Sequence, residues 1–405
     1  MTWDKSAPAR FDRVGLPERR EIFGASVAEL DRELSATPQA DGGLDFTHGD
    51  PVAFPPPEWA LPQLSDAIKR GDGAYTPYRG NPHVLAAVAP RVGTLLGMPV
   101  DPASEAIVTP GSQAALFTVL SSLVGPGDVV LLPDPEYFAS EKILRYLGAE
   151  VVAIPLTVDD DGNGKLDFDV MQAALTRRPK LLLFSHPNNP TGRTYGPAVI
   201  DRIAEFTLAN DIFVVVDQLY CRLVYEGRTF EHIASRPGMK DQTATLLGPS
   251  KTESMSGYRL GVAVAPAELV DRMEQVVALA CLRTPGYNQH LLRYWMADDA
   301  DWLTERITKH QELRDFVVTK FKAIDGLEVA SPLGSSYVFP DVCALGINDH
   351  DLASRLKKEV GVLVSPGYQF GARGAGHFRI NFSQDSAALA AALDRLCDVI
   401  TSWQR

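Results

Sequence analysis

The sequence predicts an α/β protein: a large unit with a mainly parallel sheet between helices, plus a smaller α+β unit. Three observations carry this. The 405 residues exceed the usual size of one domain. Between about residue 100 and residue 270, short apolar runs alternate with longer helical patterns, the rhythm of a parallel sheet covered on both faces. After about residue 300 the texture changes to long helices separated by short strands. The division that follows is an N-terminal arm over 1–43 that joins the smaller unit, a large unit over 44–295, and a small C-terminal unit over 296–405.

In chain order, residues 1–43 are charged, with Ala and Pro, and hold one helical pattern over 27–34; the arm packs on the small unit or on a partner subunit. An amphipathic helix opens at Ser112 and runs to about residue 124, ended by Gly125-Pro126-Gly127. The strand candidates are 129–132, 151–156, 180–185, 212–217, 245–247 and 261–265. Three of them end in polar residues, Ser185-His186, Asp217-Gln218 and Ser250-Lys251. Ligands of open α/β sheets sit at the carboxyl ends of strands, so the chemistry is expected there. The small unit reads as a helix over 301–324, strands over 327–330, 336–339, 362–365 and 377–382, and a last helix over 386–403.

Composition excludes several classes. The chain is 45% hydrophobic and 22% charged, and no apolar run is long enough to cross a bilayer. Residues 1–24 are rich in Asp, Glu, Lys and Arg, the opposite of an export signal, so the expected compartment is the cytoplasm. A net charge of −12 argues against a nucleic-acid surface. The four cysteines, Cys221, Cys281, Cys343 and Cys397, show no metal spacing and read as reduced, mostly core thiols; no metal is expected.

Four segments carry chemistry. Lys251 follows an apolar strand, where it is expected to be poorly solvated and near the cation Arg259, conditions that favour the neutral amine needed for a carbonyl adduct. Asp217 closes the apolar run 212–216, and a carboxylate there is costly unless it meets a cation. A protonated pyridine nitrogen is one such cation; a helix N-cap is the structural alternative. Asn188-Asn189-Pro190-Thr191-Gly192 reads at minimum as a tight turn, with Asn189 held rigidly enough to donate to a phenolic oxygen. Gly111-Ser112-Gln113 opens the helix whose free N–H groups suit a phosphate, although Ser112 also serves as a plain cap.

The order of these motifs resembles the class I/II (fold type I) aminotransferases that use pyridoxal phosphate, from about Leu44 to Phe382. The shared set is Gly49-Asp50-Pro51, Tyr75-Thr76-Pro77, Gly111-Ser112-Gln113, Asn188-Asn189-Pro190-Thr191-Gly192, Asp217 with Tyr220, Ser250-Lys251 with Arg259, Pro366-Gly367 and Phe378-Arg379-Ile380. The resemblance implies Lys251 as the Schiff-base lysine and general base, Asp217 on the pyridine nitrogen, and Asn189 and Tyr220 on the phenolic oxygen. It places Gly111, Ser112 and Arg259 at the phosphate, Gln113 among the cofactor-binding residues, Tyr137 on the cofactor face and Asn189 also among the substrate contacts. Tyr75 would reach over from the other subunit of a homodimer whose active sites lie at the interface. Arg379 would grip the substrate α-carboxylate beside Gly49. Gly248 departs from the pattern, because the family often has Ser there as a further phosphate donor.

Transamination of an α-amino acid with a 2-oxo acid, by ping-pong chemistry, is the expected activity. Elimination, replacement or oxidation on the same framework is the alternative, motivated by Thr47-His48, Tyr78-Arg79, Glu253 and Arg283-Thr284. A regulator of the same ancestry is not expected, since 43 residues are too few for a DNA-binding module ahead of the first motif. For the substrate side chain, Arg283 or Arg79 would suit an acidic group and Glu253 or Asp50 a basic one.

Overall fold

The computed structural model describes residues 9–159 and 161–403, so the first eight residues of the expected arm lie outside it. Eight strands form the main sheet: β1 Ala106–Thr109, β2 Val129–Asp134, β3 Glu150–Val158, β4 Gly164–Leu166, β5 Leu181–Ser185, β6 Phe213–Asp217, β7 Thr243–Leu247 and β8 Gly261–Val264. Their spatial order is β1-β8-β7-β6-β5-β2-β3-β4. Strands β2, β3, β5, β6 and β7 run parallel, whereas β8 is antiparallel to both its neighbours and β4 is antiparallel to β3.

The apolar runs form strands because both faces of the sheet are covered. Leu181 and Leu183 pack with the helices Ser112–Leu123, Phe138–Leu147 and Ala267–Ala280, while the alternate residues Leu182 and Phe184 pack with Phe168–Ala174 and Pro197–Ala209. The register then sets the site. Ser185 pairs with Asp217 and Asp217 with Leu246, so the carboxyl ends of β5, β6 and β7 lie side by side. Antiparallel β8 brings its amino end to the same edge, where Gly261 pairs with Thr109 of β1.

The second sheet is small and antiparallel, β10-β11-β9, with β9 Tyr337–Val338, β10 Ser365–Pro366 and β11 Phe378–Asn381. The helices Ala300–Lys322, Asp349–Val360 and Ser386–Trp403 pack on it. Its core also takes in Phe46 and the segment that follows Asp217, through Leu219, Tyr220, Leu223 and Tyr225. The smaller lobe is thereby seated directly on the edge of the large sheet where β6 ends.

Several expectations need correction. Residues 327–330 are not a strand; Glu328 makes only an isolated bridge to Asp341. Of 362–365 only Ser365 belongs to a strand, with Leu363 bridged to Asp45. Among the cysteines only Cys221 is buried, Cys281 and Cys397 are half-buried, and Cys343 is exposed. The described part of the arm packs on both lobes of its own chain. Arg19 donates to Glu141 of the large lobe at 2.7 Å, and Asp31 accepts from Gln369 of the small lobe at 2.7 Å. Among the described residues no helix is long and apolar enough to cross a membrane, and no His/Cys/Asp/Glu group could hold a metal ion.

Candidate active site

The sheet edge opens into a cavity of about 260 Å³ whose lining includes Ser112, Gln113, Tyr137, Asn189, Asp217, Tyr220, Lys251, Arg259 and Arg379. Six separate chain segments supply these side chains. Gly49 is not part of that lining; Thr47, two residues earlier, is. Gly111 lies just behind it.

At one end stands a cradle for an anion. Gly111 is the N-cap of the helix Ser112–Leu123 and makes no side-chain cap, so the first N–H groups of that helix are left for another acceptor. Gly111 has φ 88°, and a Cβ there would lie 2.1 Å from the Arg259 Nη2. Only glycine lets this guanidinium lie against the helix start. Arg259 Nη1 donates to the Ser256 carbonyl at 2.8 Å, which holds the fork in place. Gly248 is explained by crowding: a Cβ there would come within 2.9 Å of the Leu260 carbonyl, so a serine does not fit.

At the other end sits Asp217. Burial pushes its carboxyl up to about 6, against the opposing pull of the Leu219 N–H and of Lys251. The Leu219 N–H donates to Oδ1 at 3.1 Å, and Lys251 is a cation that acts on the group. The Lys251 Nζ lies 5.9 Å from the centre of the Tyr220 ring. Lys251 is exposed, contrary to the poor solvation expected from its strand, because the chain leaves β7 at Gly248 and turns into the open cavity.

Asn189 and Arg379 form the third group. Arg379 Nη1 donates to Asn189 Oδ1 at 2.8 Å, and Nη2 donates to the Thr47 carbonyl at 3.0 Å and the Ser365 hydroxyl at 3.2 Å. Its Nε is buried and has no hydrogen-bond partner among the described residues. Tyr137 donates from its hydroxyl to Gln113 Oε1 at 3.0 Å, and burial pushes its phenol above the ordinary value.

Two residues with no motif of their own complete the site. Tyr337 of β9 lines the cavity, and the Tyr220 hydroxyl donates to the Tyr337 oxygen at 2.6 Å. Glu136, 2% exposed, lies beneath Asn189; it accepts from the Ser185 N–H at 2.9 Å and from Asn188 Nδ2 at 3.2 Å. The Ser185 hydroxyl in turn accepts from the Asn189 N–H at 3.0 Å. Burial pushes Glu136 up to about 7. A glutamate inside Asp-Pro-Glu-Tyr is a weak signal, and a tyrosine on a two-residue strand carries none.

The residues that motivated other chemistry are mostly occupied elsewhere. Arg79 is bound to Glu274 at 2.9 Å and to Asp271, and Glu253 is bound to Arg222 in a buried pair. His48 faces Asp45 at the surface, and Thr284 is buried. Tyr75 is 80% exposed and outside the cavity of its own chain; its ring and that of Tyr78 sandwich the Arg283 guanidinium at 4.5 and 4.3 Å.

The family model for aminotransferase class I and II matches residues 41–396, which spans every segment of the cavity. The chain belongs to the class I and II aminotransferases. An aspartate aminotransferase of Rhizobium meliloti is 31% identical over 96% of both chains, and an arginine–pyruvate transaminase of Pseudomonas aeruginosa is 29% identical over 93% of this chain and 95% of the relative. Among solved structures, an aspartate aminotransferase from Rhodobacter sphaeroides superposes with a TM-score of 0.87 at 34% identity, covering 94% of this chain and all of the other. This aminotransferase therefore moves amino groups between amino acids and oxo acids, with pyridoxal 5′-phosphate as its cofactor. The residues present fit that group: the uncapped helix start beside Arg259 would suit its phosphate, and the desolvated Asp217 carboxylate would suit a cation such as its pyridine nitrogen.

Proposed function

We propose that this cavity performs transamination with the residue roles expected from the motifs, and that the enzyme is a cytoplasmic homodimer. The observation that carries this reading is the placement of Lys251, Asp217, Arg259 and Arg379 around one cavity of about 260 Å³. When bound, pyridoxal phosphate supplies an aldehyde for amino groups and a ring that draws electrons from the substrate α-carbon.

The side chains divide the remaining work. Ser112, Gln113, Arg259 and the N–H groups after Gly111 hold the phosphate. Asp217 keeps the pyridine nitrogen protonated, and Tyr137 lies on the ring face. Tyr220 donates to the phenolic oxygen; Asn189 does the same from Nδ2, since its Oδ1 is turned to Arg379. Arg379 receives the substrate α-carboxylate, with the Thr47–Gly49 segment alongside it. Lys251 would hold the cofactor through Nζ, and its freed amine would take the proton from the substrate α-carbon.

Support for the dimer comes from large apolar side chains left exposed on the helix Ala60–Lys69 and at the end of Ala267–Ala280: Leu61 is 68% exposed and Leu279 89%. Tyr75 is likewise exposed, and the Arg283 guanidinium lies over its ring. A small C-terminal unit from 296 is supported by the core around the small sheet, which also draws in Phe46 and the segment after Asp217.

The test is direct. Purified enzyme given an amino acid alone converts its cofactor absorbance once per site, and adding an oxo acid restores it. No conversion across a panel of the common amino acids overturns transamination. Ammonia release or oxygen uptake without any oxo acid favours elimination or oxidation.

A further inference from the structure

Tyr337 connects the two binding tasks of the cavity from the opposite lobe. It is 3% exposed and fixed by the pairing of β9 with β11, where it faces Asn381. Its ring meets that of Tyr220 edge-on, with centroids 5.3 Å apart, and the two hydroxyl oxygens are 2.6 Å apart. The Arg379 guanidinium carbon lies 4.1 Å from the centre of the same Tyr337 ring. One small-lobe side chain thus touches both the donor to the cofactor's phenolic oxygen and the arginine for the substrate carboxylate.

Here Tyr220 donates and Tyr337 accepts. Tyr220 has a single proton, which under the functional reading above goes to the phenolic oxygen of the cofactor. The 2.6 Å contact then persists only with Tyr337 as donor, which free rotation of both hydroxyl protons allows.

We propose that Tyr337 is a positioning residue: with the cofactor bound, its hydroxyl donates to Tyr220 and so strengthens the bond from Tyr220 to the phenolic oxygen, while its ring carries the Arg379 guanidinium. This rests on the transaminase reading of the cavity. Chained hydroxyls polarise one another, so each donation makes the next proton a better donor. The groups that face Tyr337 are Lys251 after β7, Arg379 on β11, Tyr220 and Asp217 at the end of β6, and Tyr137. Burial opposes ionisation of the Tyr337 phenol, but Lys251, Arg379 and the Tyr220 hydroxyl outweigh it, and the group lies below its ordinary value. Tyr220, in contrast, is held well above its own by burial and by Tyr337.

Two variants of the holoenzyme separate the two roles. Tyr337→Phe keeps the ring and removes the hydroxyl. The pH midpoint of the bound cofactor's absorbance rises by roughly 0.3 unit or more, kcat falls about threefold, and KM for the amino acid stays within about twofold of wild type. Tyr337→Leu removes the ring as well, and KM rises by about tenfold further as Arg379 loses its support. A midpoint in Tyr337→Phe equal to that of wild type overturns the hydroxyl role, and equal KM in the two variants overturns the ring role. Thermal melts of both variants establish that they are folded. If wild-type protein itself shows no cofactor band, the functional reading fails instead.

Discussion

Replacing Asp217 by Asn separates what the site costs the fold from what it does for catalysis. The carboxyl is pushed from its free value of 3.8 up to about 6 in the cofactor-free protein, chiefly by burial. At 1.36 kcal/mol per unit, keeping it ionised costs the fold about 3 kcal/mol. The sign follows from linkage. A carboxyl whose folded pKa is raised leaves stability intact below its unfolded pKa and removes it as pH climbs through the folded one. Roughly 1.4 kcal/mol of the loss falls between about pH 5 and pH 8. Asparagine is neutral throughout and keeps an oxygen for the Leu219 N–H, so cofactor-stripped Asp217→Asn escapes this loss. Urea unfolding of stripped wild type and variant at pH 5 and pH 8 reads the difference directly. The variant gains on wild type by about 1.4 kcal/mol between the two pH values. With cofactor the order reverses, since losing the anion of a buried pair costs about 3–5 kcal/mol, and kcat drops roughly 10²- to 10⁴-fold. A stability gap that does not change with pH, or an active variant, would refute the reasoning.

Three further outcomes follow from the same geometry. Gly111→Ala places a methyl group 2.1 Å from the Arg259 Nη2 at a φ of 88°, so cofactor affinity in a fluorescence titration weakens about tenfold or more; wild-type affinity would show that Arg259 is not held there. Arg379→Lys loses the planar fork, and KM for the amino acid rises by about 10- to 100-fold with kcat less affected; an unchanged KM would place the carboxylate elsewhere. Arg222→Met leaves Glu253 buried and Asp299 without the cation 2.6 Å away, which costs about 3–5 kcal/mol in thermal or chemical unfolding; an unchanged midpoint would mean that the pair is not buried in solution.

By itself the sequence determined what local pattern can encode. Apolar runs with both faces buried form strands whatever their surroundings, so β2, β3, β5, β6, β7 and β8 were legible, as were the helices after 300. Polar residues after strands also reveal themselves, since Asp217 closes an apolar run and Lys251 follows one within four residues. Strand β1 escaped notice because four buried residues hold too little pattern, and the supposed strand over 327–330 failed because neighbouring chain offered it a single bridge. Direction and partnership belong to the tertiary structure. Only the antiparallel turn of β8 carries Arg259 against Gly111, and only the seating of the small lobe on the segment after Asp217 brings Tyr337 to Tyr220. Even the exposure of Lys251 was decided by the cavity it faces, because solvation depends on what packs around a side chain in space and not on the strand that precedes it.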